Sequence, residues 1–276
     1  MGYKLIACDL DETLLNDEHL VGAKNVAAIK RAREEYGVKF VPATGRGFMQ
    51  IQPELKELQL YDLEGEYVIS FNGGALTENK NNRILNFEGI SFETTKMLFE
   101  KAREFDVCVL IFTIDMCYIY NADPDEVQRK TDQKAPFVVI DEYNMDDLKD
   151  EKIAKILYEK RDMPYLKSIE VEVSEMIEGK ACASYSSGRY LEFNAIGIDK
   201  GFGLRWLANY LGIDINETIA IGDNYNDVEM IKAAKLGVCV TCATDDIKEL
   251  AQYVTEVDYD QGAVKEVIEK FVLEAE

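Results

Sequence analysis

Histidine is nearly missing from this chain: His19 is the single one in 276 residues. That excludes a zinc site with two or three histidine ligands, and no H-E-x-x-H occurs. A serine–histidine or cysteine–histidine mechanism would have to rest on His19 alone. The chain also lacks G-x-S-x-G, G-x-x-x-x-G-K-[ST] and G-x-G-x-x-G, so the common hydrolase elbow, P-loop and dinucleotide signatures are absent. Positive charge is scarce, with 31 Lys+Arg against 52 Asp+Glu and a net charge of −21. Such a surface repels nucleic-acid backbones and anionic membranes, so neither is expected as a partner. No apolar run reaches the roughly 18 residues needed to span a bilayer. The first nine residues already end in charge at Asp9, which reads against a signal peptide and for a cytoplasmic protein with reduced thiols. Six cysteines mostly sit in apolar runs, and Cys239-Val-Thr-Cys242 is a lone C-x-x-C, read as a strand-end coincidence. What remains for chemistry is carboxylates and a hard metal.

The apolar pattern alternates strand-like and helix-like segments at both ends of the chain. Tyr3 to Cys8, Val38 to Ala43 and Tyr67 to Phe71 read as strands. Gly22 to Tyr36 and Phe48 to Leu58 read as the helices between them. That alternation predicts a parallel sheet covered by helices. The middle block reads as α+β: a hairpin around Asn79-Lys80-Asn81-Asn82, a helix from Phe92 to Phe105, and strands at Val107 to Thr113, Met116 to Tyr120, Ile153 to Tyr158 and Ala181 to Ser186. From Tyr190 the first pattern resumes, with a helix over Lys200 to Leu211, strands at Thr218 to Ile221 and Leu236 to Val240, and helices at Asp227 to Ala234 and Gly262 to Phe271. One α/β domain interrupted by an inserted α+β domain is therefore expected.

Four motifs stand directly after predicted strands or at a helix start. Ligands of open parallel sheets bind beyond the carboxyl ends of the strands. Asp9-Leu10-Asp11-Glu12-Thr13 follows the first strand. Its two carboxylates, spaced i and i+2, repel each other unless a cation neutralises them, and an oxygen-rich site of that kind suits Mg²⁺. One carboxylate could attack phosphorus while the other handles protons. A turn or N-cap aspartate would give the same local sequence. Ala43-Thr44-Gly45-Arg46 follows the second strand and offers a hydroxyl and loop N–H groups to phosphate oxygens, or an ordinary helix N-cap. Lys200, at a predicted helix start, is locally unfavourable unless it faces an anion. Gly222-Asp223-Asn224-Tyr225-Asn226-Asp227 follows a later strand and repeats the strand-end aspartate.

These motifs, in this order, resemble the haloacid dehalogenase superfamily of phosphohydrolases, and more narrowly its Cof-type (IIB cap) branch. Ser70-Phe71-Asn72-Gly73-Gly74 is similar to that branch's Asn-Gly turn, and Asp260-Gln261-Gly262-Ala263-Val264 to its tail. The resemblance implies a Rossmann-like three-layer core with a parallel sheet, residues 1–84 and 189–276, and an inserted α+β cap, residues 85–188, that closes as a lid and supplies specificity. It implies Asp9 as the nucleophile, Asp11 as general acid and base with its backbone carbonyl on the metal, and Lys200 offsetting charge on Asp9 and the phosphoryl group. Thr44, Gly45, Arg46, Asn72 and Asn226 would bind substrate. Asp9, Asp11 and Asp223 would hold Mg²⁺, with Thr13 and Asp227 supporting them. The expected activity is Mg²⁺-dependent hydrolysis of a small phosphorylated metabolite, such as a sugar phosphate, by a monomer or homodimer.

Three features depart from the family pattern. Glu12 stands where glycine is usual. Val240-Thr241-Cys242 replaces the usual Met-Gly-Asn and removes an asparagine contact. Asp123-Pro124-Asp125-Glu126 matches no cap pattern. Glu12 and the altered loop leave open a phosphate-binding or regulatory protein that has lost catalysis. A phosphotransferase or phosphomutase with the same nucleophile would fit the motifs equally well.

Overall fold

The computed structural model describes residues 2–133 and 135–273. In chain order the strands are Leu5–Cys8 (β1), Lys39–Pro42 (β2), Tyr67–Ser70 (β3), Ala75–Glu78 (β4) and Arg83–Phe87 (β5). Then come Cys108–Thr113 (β6), Cys117–Tyr120 (β7), Phe137–Ile140 (β8), Ile153–Glu159 (β9), Ala181–Ser186 (β10) and Tyr190–Ala195 (β11). Thr218–Gly222 (β12), Leu236–Cys239 (β13) and Tyr253–Val254 (β14) complete the set. The chain divides into two compact units, one formed by the segments up to Asn86 and from Asp199, the other by Phe87–Ile198.

In the first unit, five strands form a parallel sheet in the order β14-β13-β12-β1-β2. Every residue of β1 and β12 is buried, as expected of strands covered on both faces, which read as unbroken apolar runs. Leu5, Ala7, Val41 and Ala220 pack with Leu204 and Leu207 of the helix Lys200–Leu211. β3 departs from the expected parallel sheet. It meets β2 through the single parallel bridge Ala43–Ile69 and pairs instead with β4, in the antiparallel sheet β3-β4-β5. Pro42 supplies the reason. Lys39 and Ala43 donate their N–H groups to β1, and Thr44 donates to Ile69, so the alternation assigns position 42 to the β3 side, where proline has no N–H to give.

In the second unit, six strands form a mixed sheet in the order β10-β11-β9-β6-β7-β8. All neighbours are antiparallel except β7 and β8. One face carries Val109, Ile111, Ile156, Tyr158, Leu191 and Phe193, packed with residues of the helices Phe92–Lys101 and Met163–Ile177. β11 was expected to open the returning core pattern at 189. It belongs to this sheet, because Ser187 and Gly188, both at positive φ (51° and 58°), turn the chain straight back onto β10. β8 had no counterpart in the sequence reading. Asp123, in the run that matched no pattern, accepts hydrogen bonds from the N–H groups of Asp125 and Glu126 and so caps the helix Pro124–Asp132. Among the described residues, no helix is long and apolar enough to cross a membrane.

Candidate active site

Every strand-end motif of the first unit projects past the carboxyl ends of the parallel strands, where the register sets neighbours side by side. Cys8 pairs with Ile221 and with Pro42, so the chain leaving β1 runs beside the chains leaving β12 and β2. The Asp9 N–H donates to the Ile221 carbonyl at 2.9 Å, which extends the ladder by one residue and fixes Asp9 opposite Gly222-Asp223. Gly222 is required there by close approach, since a Cβ would lie 2.5 Å from the side chain of Asp227.

Lys200 is the centre of the cluster. It is fully buried in the first turn of the helix Lys200–Leu211. Its ammonium donates to Asp9 Oδ1 and, at 2.6 Å, to Asp227 Oδ1. The other oxygen of Asp227 accepts the N–H groups of Asp223 and Asn224, both at 3.1 Å, so Asp227 orients the turn that presents Asp223. Thr13 Oγ1 donates to Asp223 Oδ1 at 2.7 Å, linking the first motif to the last. Carboxylate oxygens of Asp9, Asp223 and Asp227 all lie within 4.8 Å of one another, and all three residues are buried.

The electrostatics are unbalanced, with three buried carboxylates around one ammonium. Burial pushes the Asp9 carboxyl well up, with Lys200 pulling against it and Asp227 and Asp223 adding to it. Burial, and next Asp227, pushes Asp223 up to about 7. Burial opposes the charge on Lys200, but Asp227 and Asp9 outweigh it and hold the ammonium above its ordinary range. A hard divalent cation would relieve the remaining repulsion, and an all-oxygen donor set suits one. Lys200 and the turn N–H groups already occupy both oxygens of Asp227. The second oxygens of Asp9 and Asp223 accept no hydrogen bond among the described residues, so these two carboxylates are the donors best placed for a metal.

The second motif lines the same end of the sheet. Thr44 is 1% exposed, and its Oγ1 accepts from the Arg46 N–H at 3.1 Å. The Asn72 N–H donates to the Thr44 carbonyl at 3.0 Å, and Asn72 sits at φ 54° in the Asn-Gly turn. Asn226 Nδ2 donates to Asn72 Oδ1 at 3.2 Å. A Cβ on Gly45 would lie 3.1 Å from that same Asn72 oxygen, so glycine keeps the strand end and the turn together. Thr44, Gly45, Asn72 and Asn226 thus meet at one place. Arg46 stands apart from that set in what it touches: its guanidinium binds both oxygens of Asp11 and one of Glu54. The Asp11 side chain is accordingly turned to Arg46, outside the aspartate trio, and is 45% exposed. Glu54 was not singled out from the sequence, where it looks like any acidic residue in a helix's first turn.

The two departures near the site explain each other in part. Glu12 sits at φ 57°, a conformation that suits the glycine usual there. The Cys242 thiol donates to the Glu12 carbonyl at 3.5 Å, so the altered loop still contacts the first motif. In the second unit, Tyr120 is buried in the core, while Tyr185, Ser186 and Arg189 are engaged by Glu170, Glu192 and Glu126.

A family model for haloacid dehalogenase-like hydrolases matches residues 6–268. A 5-amino-6-(5-phospho-D-ribitylamino)uracil phosphatase of Bacillus subtilis is 30% identical, over 96% of this chain and 94% of that protein. A solved haloacid dehalogenase-like hydrolase from Bacteroides thetaiotaomicron is 31% identical with a TM-score of 0.85, covering 98% of this chain and 99% of that one. A solved sugar phosphatase of HAD subclass IIB shares the fold, at 22% identity and a TM-score of 0.79, over 97% and 98% of the two chains. The chain belongs to the haloacid dehalogenase-like hydrolases, in their Cof-type subclass IIB family, and is a phosphoric monoester hydrolase.

Proposed function

We propose that this phosphatase removes the phosphoryl group from a small phosphorylated metabolite through a covalent intermediate on Asp9. One observation carries the reading: residues from three distant segments, Asp9 with Thr13, Lys200, and Asp223 with Asp227, converge in one buried, hydrogen-bonded cluster beyond the sheet. Asp9 attacks phosphorus, the bond from phosphorus to the ester oxygen breaks, and Asp11 gives that oxygen its proton. Asp11 then takes a proton from water as the water oxygen attacks the phosphoryl group, and the bond to Asp9 breaks to release phosphate. Lys200 pulls Asp9 towards its ionised form and faces the developing charge, while Thr44 and the adjoining loop N–H groups hold the phosphoryl oxygens. Asp9 and Asp223, with the Asp11 carbonyl, are the groups that would hold Mg²⁺, which when bound neutralises phosphate charge.

The ribityl phosphate named for the Bacillus relative suggests the substrate class: a primary phosphate ester on a polyhydroxylated carbon chain. Purified protein is expected to turn over p-nitrophenyl phosphate with Mg²⁺ and to lose that turnover in EDTA. A panel of sugar and sugar-alcohol phosphates then ranks the substrates. Retained turnover in EDTA would contradict the metal assignment, and phosphate release that lags substrate loss would point to transfer rather than hydrolysis.

A further inference from the structure

Glu54 lies in the first turn of the helix Gln52–Glu57, a position where an acidic side chain is usually stabilised by the helix dipole while facing water. Here it is only 7% exposed. Its Oε1 accepts from Arg46 Nη1 at 2.9 Å, and its Oε2 is buried with no hydrogen-bond partner among the described residues. A buried carboxylate with half of its acceptors unfilled costs stability rather than adding to it. Burial pushes this carboxyl up, and its own backbone N–H and Arg46 pull it back. Packing therefore does not account for Glu54, and Arg46 is its only side-chain partner among the described residues.

Arg46 is held at every point but one. Its N–H donates to Thr44 Oγ1, its carbonyl accepts from the Phe71 N–H at 3.0 Å, and Glu54 takes Nη1. The remaining edge, Nε (at 3.0 Å) and Nη2, grips both oxygens of Asp11. Asp11 is otherwise half-exposed, so this planar fork sets where its carboxyl points.

We propose that Glu54 is a positioning residue: it anchors the guanidinium of Arg46, and the anchored fork aims Asp11 at the oxygen that leaves phosphorus. The proposal rests on the reading of Asp11 given above. Its signature is a dependence on the leaving group. The alkoxide of a primary alkyl phosphate must be protonated as it departs, whereas p-nitrophenolate is stable enough to leave without help.

The test compares glucose 6-phosphate with p-nitrophenyl phosphate, both with Mg²⁺. In Glu54→Ala, kcat/KM for glucose 6-phosphate is expected to fall about tenfold or more, part of the roughly 10²–10⁴-fold that positioned proton transfer contributes. For p-nitrophenyl phosphate it should stay within about twofold. Glu54→Gln keeps an acceptor for Nη1 and should restore most of the loss. Adding Glu54→Ala to Arg46→Ala should cost nothing further on glucose 6-phosphate, because both act through the same fork. If alanine unfolds the chain, Glu54→Leu fills the space without an acceptor and must show the same substrate-dependent loss. Parallel losses on both esters, no loss on either, or losses that multiply in the double variant would overturn the proposal. Failure of the unaltered enzyme to hydrolyse either ester would count against the phosphatase mechanism itself.

Discussion

β1 of the parallel sheet and β9 of the mixed sheet are both buried along their whole length, yet they obey different rules. β1 is Leu-Ile-Ala-Cys, with its charge held back until Asp9, one residue past the end. β9 carries Lys155 and Glu159 within the strand, both buried, on the face opposite Ile156 and Tyr158. In the first unit four buried charged residues, Asp9, Asp223, Asp227 and Lys200, gather at one end of the sheet in an arrangement rich in negative charge. In the second unit some of the buried charged residues form ion pairs, such as Lys155 with Glu192 at 2.6 Å and Glu126 with Lys130 at 3.1 Å. Unbalanced charge beyond strand ends invites a cation and an anionic substrate. A charge met by an opposite charge, as Lys155 is by Glu192, needs no ligand to hold it in place.

Three substitutions sharpen or break this contrast. The largest effect is expected from Lys200→Met, which removes the one ammonium from the aspartate trio. Turnover of p-nitrophenyl phosphate should fall by about 10³-fold, the scale of losing a charge-stabilising group. Near-normal turnover would mean that the cluster's charge is structural, like that of β9. Next comes Lys155→Met, which strands Glu192 as an uncompensated buried charge. Denaturant unfolding should show a loss of about 3 kcal/mol, and Lys155→Met combined with Glu192→Leu should regain most of it. A double variant as unstable as the single would show that the pair is not matched internally. The smallest effect is expected from Glu12→Gly, which relieves a left-handed backbone by about 1 kcal/mol. That is a rise in Tm of about 2 °C for a chain of this size. An unchanged or lower Tm would mean that the Glu12 backbone is held in place without strain.

The same contrast decides what the sequence revealed. Strands buried on both faces read as apolar runs, so Asp9, Thr44 and Asp223 were legible as residues at strand ends, while the roles expected of them came from the family resemblance. Their partners were less so. Asp227 was expected as a support to the metal ligands, and only the structure shows it dividing its oxygens between Lys200 and the turn. Arg46 was expected to bind substrate, and nothing local reveals that Asp11 and Glu54 converge on it. In the second unit, Lys155, Glu192 and Glu126 were not singled out from the sequence, since their partners lie up to 64 positions away. β8 was missed because its four residues are too few to show a period and, among the described residues, it pairs only with a parallel strand. The Ser187-Gly188 turn carried a readable hairpin signal, and weighing it against the returning core pattern would have placed β11 in the mixed sheet.

The account turns on a phosphoryl group passing through Asp9. Acid quenching during steady turnover, borohydride reduction and peptide mapping would convert a phosphorylated aspartate to homoserine. Homoserine is expected at position 9 in the unaltered enzyme, with none formed and no measurable turnover in Asp9→Asn. Homoserine at Asp11 or Asp223 instead, or full turnover by Asp9→Asn, would contradict the mechanism.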